Sequence, residues 1–371
     1  MTPGQPTRLL VVNAGSSTLK LALLDGDELV RTTKLEHGAD GFEADALREF
    51  VGDASVDAVG HRVVHGGTRF LAAVVIEPDV RQQLEDLCEL APLHQPGSLA
   101  GIDAAAKALP DVPAVACFDT SFHSLMPPGA STYAVPLDWR EEWGVRRYGF
   151  HGLSHAYCSR RAAAMLGRTD DPDLHVVVCH LGAGASLSAV RGGRSVDTTM
   201  GFTPLEGLAM ATRSGSVDPA LVLWLQQQRG LSAADVADAL EHRSGLLGLA
   251  GTADMREVLQ RISYGDEIAE LALVVYVHRV VSGVGAMTAS MGGLDALVFT
   301  GGVGEGSHEV RRAVADRLGV LGVAVDVDRN AAAAPDSDVT GADADVRVLV
   351  VKAREDLQIA AETRALLAST T

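Results

Sequence analysis

The chain has 371 residues, which is long enough for two domains that each have their own hydrophobic core. Hydrophobic residues make up 47% and charged residues 21%, a composition typical of a folded globular protein and not of a disordered one. The formal net charge of −17 argues against a nucleic-acid or acidic-membrane surface, because either would need basic patches. Anions would therefore bind only at a local cluster of Arg, Lys and backbone N–H groups.

The four cysteines, at positions 88, 117, 158 and 179, are widely spaced and form no CxxC pair. They are predicted to be reduced, mostly buried thiols in a cytosolic protein. The polar segment Thr2–Arg8 leads directly into a strand, which argues against a signal peptide. The longest apolar stretch, 268–291, contains Glu270, His278 and Arg279, so it predicts a buried core or dimer-contact helix and not a membrane span.

Two segments, 9–30 and 175–196, share the order of an apolar run, a turn of small residues and a second apolar run. Each segment predicts a β-hairpin. Small residues at the turns leave backbone N–H groups open to close approach by a phosphate. The two hairpins together indicate a duplicated fold that holds a polyphosphate between its halves.

Strand patterns alternate with helical patterns along the rest of the chain, which predicts an α/β protein with mixed sheets. The Ala/Asp-rich stretch 326–345 is predicted to be an exposed connection. Strands are predicted at 9–13, 19–24, 56–59, 72–76, 113–117, 175–179, 186–190, 296–300 and 346–351. Helices are predicted at 79–90, 98–108, 153–166, 218–227, 233–241, 254–262, 266–291, 307–318 and 355–368.

The segment HRVVHGGTRF, 61–70, ends a strand with Arg62 before a Gly-Gly turn. A guanidinium there suits a carboxylate or phosphate clamp because it offers a bidentate fork, and a surface arginine fits the pattern equally well. The pair His61 and His65 has no third ligand or HExxH pattern nearby, which argues against zinc. His94, in APLHQPG, fits a packed histidine better than a catalytic one.

Asp119 follows the apolar run PAVACF, where it is either a catalytic acid at the edge of an α/β sheet or a helix N-cap. His151, between Gly149 and Gly152, is predicted to lie on a tight loop, and Arg213 lies in another Gly-bounded loop.

The segment LVFTGGVGEGSHEVRR, 297–312, predicts a strand, a Gly-rich turn and a helix start, a geometry that binds phosphate or nucleotide. It lacks the GK[ST] of a Walker A loop, and a lone Gly-rich turn is a weak signal. Glu355 and Asp356 begin the last predicted helix, where they either complement the helix dipole or reach a Mg²⁺ shell.

In this order, the strings HRVVHGG, YGFHG and GFTPLEG resemble the acetate kinase family, within the acetate/sugar-kinase, Hsp70 and actin superfamily. The resemblance runs from Asn13 to about Ala360. It implies a two-lobed, duplicated actin-like (ribonuclease H-like) α/β fold with mixed sheets flanked by helices. The N-terminal lobe would comprise 1–123 plus 357–371, with the carboxylate and the first phosphate loop. The C-terminal lobe would comprise 124–356, with the nucleotide and a dimer contact.

The resemblance implies reversible, direct in-line transfer of the ATP γ-phosphoryl group to acetate, giving acetyl phosphate and ADP. Mg²⁺ or Mn²⁺ is the implied cofactor, with ATP/ADP as co-substrate, in a cytoplasmic homodimer without nucleic-acid or membrane partners. A propionate or butyrate kinase, or a variant with an altered phosphoryl donor, stays open, because one methylene is worth only about 1–3 kcal/mol of discrimination. A non-catalytic nucleotide-binding regulator is disfavoured because the family's catalytic residues are retained.

The implied roles follow from the positions that match the family's motifs. The catalytic residues implied are Arg62, Asp119, His151 and Arg213. The substrate pocket implied comprises Arg62, Val64, Leu93, His94, Phe150 and Pro204. The first phosphate loop implied has Ser16, Thr18 and Lys20, and the metal ligands implied are Asn13 and Glu355. The other nucleotide-binding residues implied are His180, Leu181, Gly182, Ala183, Gly184, Asp254, Met255, Arg256, Gly302, Val303, Gly304, Glu305 and Gly306.

The chain departs from the family pattern mainly in its nucleotide half. Ala183 and Ala185 replace an amide and a hydroxyl expected to face the phosphates, and Gly306 replaces an asparagine. Arg354 lies beside the retained Glu355. Each lost neutral hydrogen bond is worth about 0.5–1.5 kcal/mol, so weaker ATP binding or a different donor is expected.

Overall fold

The structure is a computed structural model that describes residues 7–14, 18–36, 42–92 and 94–370. The chain divides into two compact units. Unit 1 comprises 1–124, 150–157 and 354–371, and unit 2 comprises 125–149 and 158–353. The segment that carries His151 therefore belongs to unit 1.

The strands and helices are numbered in chain order. The strands are β1 Arg8–Ala14, β2 Thr18–Asp25, β3 Glu28–Glu36, β4 Ala58–Val63, β5 Val74–Val75, β6 Ala114–Phe118, β7 His175–Leu181, β8 Ala185–Arg191, β9 Arg194–Thr198, β10 Ala296–Thr300, β11 Ser337–Asp338 and β12 Arg347–Val350. The helices are α1 Ala44–Val51, α2 Pro78–Asp86, α3 Gln95–Ala108, α4 Pro128–Ser131, α5 Leu137–Glu142, α6 Gly152–Met165, α7 Pro219–Arg229, α8 Ala233–His242, α9 Gly245–Ala250, α10 Met255–Ser263, α11 Glu267–Met291, α12 Gly301–Gly306, α13 His308–Ala315, α14 Val327–Ala331 and α15 Glu355–Thr370.

Each unit contains a six-stranded mixed sheet, and the two sheets have the same topology. The order is β3-β2-β1-β4-β6-β5 in unit 1 and β9-β8-β7-β10-β12-β11 in unit 2. In both sheets the first three strands form an antiparallel meander, the middle strands run parallel, and the last strand is antiparallel. The duplicated α/β fold predicted from the repeated hairpins is confirmed.

The sheet of unit 1 is buried on both faces. Leu10 and Val12 of β1 pack in a cluster with residues of α1 and α3, whereas Leu9 and Val11 pack with Ile359 and other residues of α15. This pattern explains the continuous apolar run of β1, because a strand covered by helices on both faces needs no polar side.

Close packing of α15 on β4 depends on a glycine. A Cβ atom at Gly60 would lie 2.6 Å from a side-chain carbon of Ile359 and 2.7 Å from the hydroxyl of Thr363. The last helix therefore fits unit 1 only because this strand position has no side chain.

The sequence patterns did not predict the third strand of each meander or several short helices. The segment ELVRTTKLE, which forms β3, lies at the edge of the sheet and is largely exposed, so it lacks the apolar run of a buried strand. The helices α9 and α12 are only six residues long and glycine-rich, which masks helical periodicity. The connection predicted at 326–345 is exposed over much of its length, but it also contains α14 and β11 and buries Asn330 and Val339.

The long apolar helix α11 packs against β7, β8 and β9, as expected for a core helix. Its length and composition alone satisfy the criteria for a membrane-spanning helix. Its buried residues are Ala269, Ala272, Tyr276, Val277, Val280, Val284, Met287 and Met291.

Three buried histidines of unit 1 make stability depend on pH. Burial lowers the pKa of His61 to about 3 and the pKa values of His65 and His123 to about 4. The unfolded chain binds these protons below the ordinary histidine value of about 6.5, whereas the folded protein does not, so acid favours unfolding.

We expect the free energy of unfolding to fall as the pH drops below about 6.5, by at most about 1.4 kcal/mol per pH unit for each histidine. Urea unfolding followed by circular dichroism at about pH 7.5 and about pH 5 measures this slope, above the range in which most carboxylates titrate. Equal unfolding midpoints at the two pH values would contradict the prediction.

Candidate active site

A cluster of polar side chains lies at one edge of the unit 1 sheet; we call Asn13, Arg62, Asp119 and Glu355 the unit 1 cluster. Asn13 and Arg62 are neighbours in the parallel register of β1 and β4, and Asp119 directly follows β6. Because the carboxyl ends of parallel strands meet at one edge, three distant parts of the sequence converge here. Glu355 is the first residue of α15.

Arg62 is the centre of this cluster. Its Nε and Nη2 donate to the carboxylate of Asp119 at 3.1 and 2.5 Å, and its Nη1 donates to Oδ1 of Asn13 at 3.2 Å. The carboxylate of Glu355 lies 4.0 Å from Nε of Arg62 and accepts a hydrogen bond of 2.9 Å from Nδ2 of Asn13. The alternative of an isolated surface arginine is therefore wrong.

The charges of this cluster depend on one another. Burial alone would lower the pKa of Arg62, but the carboxylates of Asp119 and Glu355 outweigh burial and raise it. Burial raises the pKa of Asp119, and the guanidinium of Arg62 opposes that shift. Since the Asp119 carboxylate is directed at Arg62, it orients the arginine and is poorly placed to act as a base.

The cluster has donor atoms that suit Mg²⁺. Two carboxylates and one amide oxygen lie within a single hydrogen-bonded group, and hard oxygen donors of this kind, completed by substrate phosphates, are typical Mg²⁺ ligands. In the described part of the chain, no group of three or more His, Cys, Asp or Glu residues forms a metal site. The cluster therefore fits a metal held jointly with a phosphate and not a closed, all-protein site.

His151 has a strained backbone. Its φ of 56° is in the left-handed region, which residues other than glycine rarely adopt. The next residue, Gly152, donates its N–H to the carbonyl of Asp119 at 2.9 Å, and a Cβ there would collide with that carbonyl oxygen. The glycine thus fastens the His151 loop to the end of β6.

Phe150 and Val64 are buried side chains of unit 1. The ring of Phe150 packs edge-on against His65 at 5.4 Å, and its carbonyl lies 3.2 Å from Nε2 of His123. His94 is half-buried at the start of α3, and Leu93 lies outside the described residues. The predicted pocket residue Pro204 belongs to unit 2.

Of the predicted first phosphate loop, Thr18 and Lys20 are described and Ser16 is not. Thr18 begins β2, and Lys20 is an exposed residue of β2 opposite Asn13 in the antiparallel register. The backbone of Lys20 is therefore next to the unit 1 cluster.

Unit 2 contains a cavity of about 730 Å³, within the size range of ligand pockets. We call it the unit 2 cavity. Residues of three predicted nucleotide-binding segments line it, although the segments are far apart in the sequence. The predicted residues that line it are Gly182, Ala183, Gly184, Arg213, Asp254, Met255, Arg256, Gly302, Val303 and Gly306.

Other predicted nucleotide residues lie behind the cavity wall. Leu181 is fully buried and Gly304 is buried in α12. His180 is a half-buried residue of β7 next to Thr300 of β10. Glu305 points its carboxylate at the backbone, where it accepts from Gly301 N–H at 3.0 Å and Ala353 N–H at 2.9 Å. These contacts give Glu305 a structural function at α12.

The sequence did not single out Arg311, which is 2% exposed. Its guanidinium donates to the carbonyls of Gly304 at 3.0 Å and Glu305 at 2.8 Å, and to Oδ1 of Asn330 at 2.7 Å. It holds the end of α12, whose residues line the cavity. The sequence feature that could have identified Arg311 is a charged residue next to Val310 and Val314 on the buried face of α13.

Two arginines line the unit 2 cavity, Arg213 and Arg256, and each is paired with a carboxylate. Burial lowers the pKa of Arg213, and the carboxylate of Glu241, 3.6 Å away, opposes this shift. Asp254 caps α10 and pairs with Arg256 at 2.6 Å, and these hydrogen bonds lower the pKa of Asp254 to about 2. Its carboxylate is therefore charged at neutral pH.

The departures from the family pattern differ in their location. Ala183 and Gly306 line the cavity, but Ala185 is fully buried opposite Leu181 in the β7–β8 hairpin. The expectation that position 185 faces the phosphates is therefore wrong. Arg354 donates from Nε and Nη2 to Asp356 at 2.9 and 2.8 Å, so its charge is largely neutralised by that carboxylate.

The duplicated α/β fold, the arginine–carboxylate cluster and the glycine-lined cavity together suit a phosphotransferase. The profile of the acetokinase family matches residues 42–361. The chain belongs to the acetokinase family.

Named relatives agree with this assignment. The acetate kinase of Limosilactobacillus fermentum is 42% identical, over 95% of this chain and 97% of the relative. The acetate kinase of Leifsonia xyli subsp. xyli is 46% identical, over 95% and 97%. The crystal structure of Porphyromonas gingivalis acetate kinase superposes with a TM-score of 0.90 at 36% identity, over 97% and 100%. A propionate kinase from Francisella tularensis has a TM-score of 0.86 at 35% identity, over 96% and 98%.

We expect Gly152→Ala to displace the His151 loop, because the new methyl group meets backbone that cannot move aside. The variant should lose at least about tenfold in kcat and melt a few degrees lower, about 2–6 °C. Steady-state kinetics and thermal unfolding measure the two effects. Gly129→Ala is the matched control, since a Cβ at Gly129 meets nothing within 4 Å; equal behaviour of both variants would contradict the expectation.

Proposed function

We propose that this protein is a Mg²⁺-dependent acetate kinase that transfers the γ-phosphoryl group of ATP to acetate, reversibly, giving acetyl phosphate and ADP. The observation that carries the proposal is the unit 2 cavity, because the segments predicted to bind a nucleotide meet in it. Membership of the acetokinase family and acetate kinase relatives that match most of the chain support the same activity.

The cavity favours a nucleoside-containing phosphoryl donor. Its wall combines Leu246, Met255 and Leu259 with glycine backbone, and a volume of about 730 Å³ exceeds what an inorganic polyphosphate needs. Apolar side chains suit a nucleobase, whereas glycine N–H groups suit phosphates. The replacement at Ala183 therefore weakens a phosphate contact without removing the space for the nucleoside.

The chemistry requires no general base. A carboxylate acceptor is ionised at neutral pH, so the barrier comes from bringing two anions together. We assign Arg62 to the acetate carboxylate, and Asp119 to the orientation of Arg62. Arg213 and His151 donate to the transferring phosphoryl group, whose developing charge such donors stabilise.

The metal is assigned to Asn13 and Glu355, which are joined by a hydrogen bond of 2.9 Å. A bound Mg²⁺ neutralises phosphate charge and orients the polyphosphate. Val64, Leu93, Phe150 and Pro204 are assigned to the alkyl pocket, with His94 at its edge. We assign Ser16, Thr18 and Lys20 to one phosphate loop and 180–184 to the other, with 254–256 and 302–306 holding the nucleoside.

One screen tests this proposal. Acetate, propionate and butyrate are each offered with ATP, GTP and pyrophosphate, and the acyl phosphate is trapped as hydroxamate. We expect acetate with ATP to give the highest kcat/KM and pyrophosphate to give none. Higher kcat/KM with propionate would support the second candidate, a propionate kinase, for which the Francisella tularensis structure is the specific observation. No acyl phosphate with any pair would overturn both.

We expect Arg213→Ala to lower kcat by about two to three orders of magnitude, the effect of removing one preorganised transition-state donor. The KM for ATP should change much less, since the glycine backbone of the cavity remains. Steady-state rates with saturating acetate measure kcat, and Arg243→Ala, at an exposed arginine of the same unit, is the control. Native kcat in Arg213→Ala would remove this residue from the chemistry.

We also propose that the protein is a cytoplasmic homodimer that associates through unit 2. All four cysteines are free thiols, as expected in a reducing compartment.

The helix α7 has no buried residue although its sequence is largely apolar, and it exposes Leu221, Leu223 and Trp224. The helix α11 exposes Ile268, Leu271 and Val274 beside its buried face. Apolar surfaces of this kind mark interaction sites.

We expect Leu223→Glu to convert the dimer into a monomer, because it places a charge in the centre of the exposed face of α7. Sedimentation velocity at micromolar concentration measures the mass. Gln228→Glu, on the polar end of α7, is the control. A native protein that sediments as a monomer would contradict the proposal.

A further inference from the structure

Glu241, near the end of α8, is placed to control the orientation of Arg213. Its Oε2 atom lies 3.6 Å from Nε of Arg213, and the two side chains are 18% and 22% exposed. In the ranges that the structure describes, Glu241 is the one carboxylate within ion-pair distance of this arginine. No motif of the sequence pointed to Glu241.

The donors of Arg213 are unequally used. Nη1 donates to the carbonyl of Pro204 at 3.1 Å and approaches Sδ of Met210 at 3.7 Å. Nε lies at ion-pair distance from Glu241, 3.6 Å, without a hydrogen bond. Nη2 makes no hydrogen bond with any described residue, and Arg213 lines the unit 2 cavity. With Nη1 bonded to the protein and Nε paired with Glu241, Nη2 is the nitrogen that remains for an anionic ligand.

The backbone around Arg213 is fixed separately from the Glu241 carboxylate. The hydroxyl of Thr212 donates to the carbonyl of Glu241 at 2.9 Å, and Ser214 N–H donates to the carbonyl of Leu240 at 3.0 Å. These bonds use main-chain atoms at the end of α8. A substitution that changes only the Glu241 side chain therefore leaves the loop of Arg213 in place.

We propose that Glu241 is a positioning residue for the phosphoryl transfer, which holds the guanidinium plane of Arg213 so that Nη2 points into the unit 2 cavity. An arginine at the end of a flexible stem has many orientations, and an ion pair at Nε selects one of them. A small error in the position of a transition-state donor lowers the rate more than it lowers ground-state binding. The inference rests on the proposed role of Arg213.

The test compares Glu241→Gln with Glu241→Asp in the full-length enzyme. Glutamine keeps the shape and removes the charge, and we expect it to lower kcat by about tenfold while the KM values for ATP and acetate change by less than about twofold. Aspartate keeps the charge and should recover kcat to within about threefold of native. The melting temperature should shift by less than about 3 °C, because the pair is partly exposed.

Two further variants exclude a general structural effect. Asp238→Asn breaks the ion pair of 2.7 Å with Arg243 on the same helix, away from the cavity, and should have native kcat. In an Arg213→Lys background, whose amine lacks the Nε group, Glu241→Gln should cause no further loss beyond about twofold.

Native kcat in Glu241→Gln would overturn the inference. So would a loss of kcat on adding Glu241→Gln to Arg213→Lys that is as large as the loss in the native enzyme. Arg213→Ala, measured in parallel, distinguishes a failure of the proposed role of Arg213 from a failure of the positioning role of Glu241. If Arg213→Ala loses activity and Glu241→Gln does not, only the positioning inference fails. If Arg213→Ala is native, the role of Arg213 and the inference fail together.

Discussion

The ion pair between Arg62 and Asp119, 2.5 Å between Nη2 and Oδ2, is the interaction on which the unit 1 cluster depends. An unpaired arginine at this depth would lose much of its hydration, and an unpaired aspartate would take up a proton. Because they are paired, Arg62 and Asp119 keep their charges at the end of the parallel strands. Asn13 and Glu355 then complete the hydrogen bonding of the cluster.

The two units apply one topology to different tasks. In unit 1 the parallel strands end in charged side chains that reach one another. In unit 2 the corresponding strands β7 and β10 are followed by glycines, and the cavity is bounded by backbone, by short helices and by Arg213. The unit 1 cluster is formed by side chains, whereas glycine backbone forms much of the wall of the unit 2 cavity. Duplication of the fold therefore does not imply duplication of the chemistry.

Much of this arrangement is readable from the sequence, and the exceptions have physical causes. The buried strands and long helices are marked by apolar periodicity, and the Gly-bounded motif at 149–152 marks a turn. The burial of Ala185 was not predictable, because a hairpin turn and the first residue of its strand look alike in sequence and differ only in register. Arg311 and Glu241 act through long-range contacts, which no local pattern encodes.

Unit 1 is built from three separate stretches of chain, and the last of them is α15, which supplies Ile359 and Ala360 to its core. The ribosome delivers this helix only after the whole of unit 2 has been synthesised. Until α15 has been synthesised, Gly60 and the face of the sheet around it stay uncovered, and Arg62 lacks its partner at Glu355. The unit 1 cluster is thus completed only after unit 2 has been synthesised.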